Sequence, residues 1–187
     1  MEQPQQKIVE RWWQSMALPP DQLREKGVAP APSGCRATLR RCESAEAAML
    51  TEGFRRLWLQ LSDDITQAES DKHIQCWATI AAVLVHIKHN GTLNLARAAG
   101  KKGDGDKSIV SEMRFAQLQT ARSPDDFLRR LRRIVQQVKG DLNVISLAQD
   151  IHQWFNEHYQ FHPRKGEKRI VVRWAMDYFQ AAGQRAS

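Results

Sequence analysis

The chain predicts an all-α fold: two small packed helical bundles, about eight to nine helices in all. Three observations lead there. Apolar residues recur at helical spacing over most of the 187 residues, only 10 residues are Gly and 7 Pro, and no stretch alternates apolar and polar residues over a strand's length. With 42% hydrophobic residues the chain can fill one good core or two small ones, and it is too apolar for a disordered polymer.

Taken in order, residues 7–17 open as a helix carrying Ile8, Val9, Trp12 and Trp13. Pro19, Pro20, Pro30 and Pro32 then impose a loop over 18–32, because a proline ring removes an N–H donor and clashes with the preceding turn. Residues 35–42 form a short helix. Ser44 caps a helix over 46–61, where Met49, Leu50, Phe54, Leu57, Trp58 and Leu61 recur at helical spacing. After a polar break over 62–70 comes the most apolar helix. Its Ile74, Trp77, Ile80, Ala81, Leu84, Val85 and Ile87 cover more than one face, which places it in the middle of the N-terminal bundle. Asn90-Gly91 predicts a left-handed cap at its end, and 92–98 a short helix.

The run 100–107 sets three glycines among charges with no apolar residue and predicts a surface loop. It divides a 1–99 N-terminal helical bundle from a 108–187 C-terminal basic helical bundle. In the latter, Ser108 or Ser111 caps a helix to about Arg122. Ser123-Pro124-Asp125-Asp126 is a strong helix start: a capping hydroxyl, proline at the first position, then carboxylates at the positive end of the dipole. Gly140-Asp141 breaks that helix, and Asn143 or Ser146 starts the next, through Leu147, Ile151, Trp154 and Phe155. Residues 162–167 form a basic turn and 170–182 the last helix.

The formal net charge of +7 is unevenly spread. Residues 1–95 hold 11 basic and 11 acidic side chains, residues 96–187 hold 17 and 10. A neutral half joined to a basic half points to one polyanion-facing surface, with nucleic acid the commonest partner. Three cysteines, an odd number, form no disulfide framework and suit a reducing compartment. The first residues lack the apolar centre of a signal peptide, and the longest apolar run, 77–87, is about half of what crosses a bilayer. The expectation is a cytoplasmic protein.

Residues 123–139 carry the clearest chemistry. Phe127, Leu128, Leu131, Ile134, Val135 and Val138 fall on one arc of the helix, and Arg129, Arg130, Arg132 and Arg133 on the opposite arc. Asp125 and Asp126 stand where they pair with Arg129 and Arg130 at i,i+4, leaving Arg132 and Arg133 as the freer phosphate ligands. Arginine suits that task because its planar fork matches phosphate oxygens bidentately. Further basic groups stand at Arg36, Arg40 and Arg41, at Lys101, Lys102 and Lys107, at Arg114 and Arg122, and at Arg164, Lys165, Lys168, Arg169 and Arg173. No helix–turn–helix or zinc-finger spacing orders them, so the expectation is binding through phosphates with little reading of bases.

No P-loop, Gly-x-Gly-x-x-Gly, Gly-x-Ser-x-Gly or His-Glu-x-x-His motif occurs, so no enzyme and no cofactor are expected. His86-x-x-His89 and His73-x-x-Cys76 read as polarity rather than a metal site, and Cys35 and Cys42 as small core residues. Trp58, Trp77 and Trp154 sit on apolar stripes; Trp12, Trp13 and Trp174 stay undecided between core and base-stacking platforms.

The runs SEMRFAQLQTAR (111–122) and SPDDFLRRLRRIV (123–135) resemble the CasB-type small subunit of the type I-E CRISPR surveillance complex, Cascade. Arg11-Trp12-Trp13 resembles that family's opening helix, Ala37 to Cys42 its short arginine-bearing helix, Leu95 to Ala98 the segment before its variable loop, and Val172 to Ala175 with Tyr178-Phe179 its closing helix. The resemblance implies an all-helical, non-catalytic subunit, two copies of which pack along a ribonucleoprotein. It implies contacts with the backbone and large subunits and the guide RNA, and a role in holding the DNA strand displaced when the guide pairs with its target. Carried over, Arg41, Lys72, Arg114, Arg122, Arg132, Arg133, Arg164 and Lys165 face nucleic acid; Arg129 and Lys168 join them from the charge clusters. The chain departs from the family pattern over 18–32 and in the 101–107 loop. The alternatives are a free-standing helical binder of single-stranded DNA or RNA, and an adaptor for an acidic protein partner.

Overall fold

The structure, a computed structural model, describes residues 1–67, 71–103, 106–139, 141–160 and 165–183. Its organising element is the apolar helix α7 (Asp71–Leu84): residues 76–87 are buried without exception. Around it pack α3 (Cys35–Arg41), α4 (Ala45–Met49), α5 (Glu52–Trp58), α10 (Pro124–Gln137) and α11 (Val144–His158). The remaining helices are α1 (Gln3–Ala17), α2 (Pro20–Glu25), α6 (Asp63–Thr66), α8 (Leu95–Gly100), α9 (Glu112–Gln119) and α12 (Ile170–Gly183), with a 3-10 turn at Gly166–Lys168. The fold is all-α, with twelve α-helices among the described residues rather than eight or nine.

The surplus comes from short helices. α2 lies inside the expected 18–32 loop, with Pro20 at its first position, where the missing N–H has no intrahelical partner to lose. α6 lies inside the expected polar break. The expected 46–61 helix is two, because Thr51 stops one and starts the other: its hydroxyl donates to Ala48 O at 2.7 Å and accepts from Phe54 N at 3.1 Å. Ser44 caps the first of them through Ala47 N, and Trp12 ties α1 to the second through its Nε1 donating to Gly53 O at 2.8 Å.

The left-handed cap expected at Asn90-Gly91 is not formed; Gly27, Gly34, Asp106 and Lys139 hold the positive φ angles of the described residues. Arg36 instead finishes the end of α7, its Nε and Nη2 donating to Val85 O and Ile87 O at 3.0 Å each. Asn90 belongs to a two-residue strand, β1 (His89–Asn90), paired in parallel with β2 (Asp141–Leu142). Its Oδ1 accepts from Val144 N at 2.9 Å, which fastens the start of α11 to the tail of α7.

In the second half, Ser123 caps α10 and Asn143 caps α11. Phe127 stacks on Trp154 with ring centroids 4.0 Å apart, and Phe115 on Tyr178 at 4.8 Å, joining α9, α10, α11 and α12. Gly100, expected in a surface loop, is the buried last residue of α8; a Cβ there would fall 2.3 Å from Tyr178 O on α12. Residues before and after the 100–107 run, from Val9 to Tyr178, belong to one connected apolar cluster. No helix among the described residues is long and apolar enough to cross a membrane.

Candidate nucleic-acid interface

Helix α10 buries Phe127, Leu128, Leu131, Ile134 and Val135, as its periodicity requires. Its four arginines then go to different places. Arg129 and Arg130 both pair with Asp126, at 2.7 and 2.8 Å; burial pushes that carboxyl up, and the hydrogen bonds and charges of the two arginines together bring it below its ordinary range. Asp125 pairs with neither; its Oδ1 accepts from Ala45 N at 3.3 Å, at the start of α4. Arg130 also donates to Gln117 O and to Thr120 Oγ1, at the end of α9.

Arg132 departs most from expectation. It is half-buried rather than turned to solvent: Nη1 donates to Cys42 O, Nη2 to Arg40 O, and Nε to His86 Nε2 at 3.2 Å. The reason is general. The last carbonyls of a helix lack intrahelical donors and carry the negative end of its dipole, so a guanidinium from a neighbouring element satisfies α3 there. Arg133 is exposed and takes no part in the ion pairs of this helix.

A groove of about 660 Å³ runs between α10 and the α3–α4 junction, and it brings together Arg41, Arg129, Arg132 and Arg133. Three acids also line it, and they are not evenly placed. Asp125 and Asp126 sit in the first turn of α10 and are engaged as described, whereas Arg132 and Arg133 stand about two turns on, facing exposed Arg41 with Glu43 beside it. Free positive charge therefore collects at one end. Arg114 reaches the same helix: its Nη1 donates at 2.7 Å to Gln137 Oε1, one turn beyond Arg133. Arg122 is exposed between α9 and α10.

Neither Arg114 nor Arg122 lines the groove, and the described residues among the remaining sequence-derived positions are not brought to it either. Lys72, in the first turn of α7, borders a separate small pocket with Gln5, His73, His152 and Asn156. Lys165 and Lys168 are exposed around the 3-10 turn before α12, where Lys168 O accepts from Gln153 Nε2 at 3.2 Å. Arg164 lies outside the described residues. Arg173 pairs with Asp150. Trp12, Trp13, Trp77, Trp154 and Trp174 are buried and Trp58 is half-buried, so the undecided tryptophans are core residues.

Two residues at the groove had no site role in the sequence reading: Gln136, which lines it, and His86, which bonds to Arg132 and was read as polarity. His86 is 7% exposed, and burial together with Arg132, Arg40 and Arg36 pushes its pKa down to about 4, so the ring is neutral near pH 7. Gln136 Nε2 lies 3.3 Å from His86 Nδ1. Neither carries a sequence pattern for this role, because both matter only once α10 lies beside the turn that follows α7.

The family model for CRISPR-associated protein Cse2 matches residues 35–179. The chain belongs to the Cse2 family. It is therefore a CRISPR-associated protein of the Cascade assembly, and the resemblance read from its motifs holds. The matched span begins after the proline-bearing 18–32 segment, where the sequence departs from that pattern, and it contains the whole groove. No curated protein and no solved structure matches this Cse2-family chain.

Proposed function

We propose that this Cse2-family chain is the non-catalytic small subunit of a type I-E complex in the cytoplasm, and that the α3–α10 groove holds phosphates of the displaced DNA strand. The observation that carries the reading is the convergence of Arg41, Arg132 and Arg133 at one end of a concave surface. Exchange of a DNA duplex for an RNA–DNA hybrid is nearly balanced in energy. A subunit that neutralises phosphates of the ejected strand tips that balance without reading bases, and cations without a base-reading motif suit it. The guide RNA, the backbone and large subunits and a second copy of the chain complete the assembly in this reading.

The test is a double substitution, Arg41→Ala with Arg133→Ala, in a complex assembled on guide RNA. Both side chains are exposed, so folding and copurification with the RNA and the other subunits persist. Target opening weakens by about tenfold, and its dependence on salt becomes shallower by about 1.4 in log–log slope, as expected for two lost contacts to a single strand. Unchanged opening overturns the proposal. Arg132→Ala is a poor substitute, because it also uncaps α3.

A further inference from the structure

We infer that His86 is a positioning residue of this groove: as a neutral acceptor it fixes the plane of the Arg132 guanidinium, whose two remaining N–H bonds then form a preset seat for one phosphate. The inference rests on the groove being the nucleic-acid surface.

Arg132 Nε carries a hydrogen and no lone pair, so at 3.2 Å His86 Nε2 is the acceptor and the imidazole proton stands on Nδ1. The Gln136 carboxamide beside Nδ1, 3.3 Å away, then presents its oxygen there, an orientation a terminal amide is free to take. A guanidinium has five N–H bonds. One goes to His86 and one each from Nη1 and Nη2 to Cys42 O and Arg40 O, which leaves one on each terminal nitrogen. Arg132 lines the groove beside Arg41 and Arg133. Three fixed acceptors, from the turn after α7 and from the end of α3, hold the fork before any anion arrives. A phosphate meeting such a fork orders less side-chain motion than one captured by a mobile arginine. The charges acting on the ring are the guanidiniums of Arg132 on α10 and of Arg40 and Arg36 on α3, all of which favour the neutral form that this geometry needs.

The test uses the full chain and a fluorescent single-stranded DNA oligonucleotide of mixed sequence, titrated at several salt concentrations below the melting temperature. His86→Gln places an amide oxygen near the Nε2 position; His86→Asn reaches only the Nδ1 position. We expect the Gln variant to bind like the parent. The Asn variant, and His86→Leu with it, should bind three- to tenfold more weakly on the order of one lost contact, with a slope shallower by about 0.7. If Asn and Gln variants share one affinity and one slope, His86 is structural and the inference is overturned, whatever the melting temperatures show. Should the Leu variant fail to fold, the Asn/Gln pair, which differs by one methylene, decides alone. Arg133→Ala is the separate control: unchanged binding by that variant overturns the groove reading itself, independently of His86.

Discussion

Arg36, Arg130 and Arg132 each end on backbone carbonyls in or just past another helix's last turn, at Val85 and Ile87, at Gln117, and at Arg40 and Cys42. Counted along the chain they are three positive charges like any others. What converts them to caps is the need of carbonyls that another helix leaves unpaired, and that need arises only in the packed state. The same holds for Asp150, which is buried at 4% exposure and accepts from Trp174 Nε1 at 2.8 Å. Burial pushes its carboxyl up to about 6 against the opposing pull of the Trp174 hydrogen bond and of Arg173. Between pH 4 and 6 the native state thus holds a proton that the unfolded chain releases, and stability falls as pH rises through that window, by on the order of 2–3 kcal/mol. His86 has the opposite sign. With its pKa pushed down to about 4, the unfolded chain takes the proton first, so stability is fully present above pH 6.5 and is lost as pH falls toward 4. The two effects oppose each other in the parent. Asp150→Asn keeps an acceptor for Trp174 and removes one titration, so its stability relative to the parent should be higher at pH 6.5 than at pH 4.5 in urea denaturation. A difference that does not change with pH would refute the assignment.

Among the elements, α7, α10, α11 and α12 were legible because a long helix repeats its buried face several times, and that period survives in the sequence. α2 and α6 make one or two turns, too few for a period to register, and the break between α4 and α5 depends on one hydroxyl. Gly100 shows a different obstacle. In the run Gly100-Lys101-Lys102-Gly103 both glycines look like loop residues, yet one is an interface residue. α8 and α12 approach so closely at Gly100 that a methyl group would meet the backbone oxygen of Tyr178, which cannot rotate aside as a side chain could. Gly100→Ala should therefore destabilise the protein by about 1–3 kcal/mol, as overpacking against rigid atoms does. At Gly103 the nearest atoms to an added Cβ are Ile109 Cγ1 at 3.5 Å and Lys107 O at 3.6 Å, so Gly103→Ala should stay within about 0.5 kcal/mol of the parent. Chemical denaturation of the two variants, side by side, checks the contrast; equal losses would show that the α8–α12 approach does not limit stability.

For the molecule as a whole, the charge count by halves located the basic excess but not the groove. Arg40 and Arg41 come from the half whose charges balance, and they stand across from Arg132 and Arg133 of the basic half. The surface is assembled by packing α10 on α7 and α4, which brings the end of α3 within reach of Arg132, so it exists only while both halves are folded against each other. One apolar cluster runs through that packing, and Arg132 bonds across it to α3 and to His86. Elements that share a core gain their burial together, and neither half keeps its apolar contacts when the other opens. Heat or urea should accordingly unfold the chain in a single transition. Far-ultraviolet dichroism would report the helices, and tryptophan fluorescence would report Trp12, Trp13, Trp58 and Trp77 in one half and Trp154 and Trp174 in the other. Coincident midpoints are expected, and a saturating single-stranded oligonucleotide should raise both together, because a ligand bound only by the native state shifts the whole equilibrium. Two separated transitions would mean that the halves fold independently. A ligand shift confined to one of them would then place the binding surface within that half and away from the α3–α10 seam.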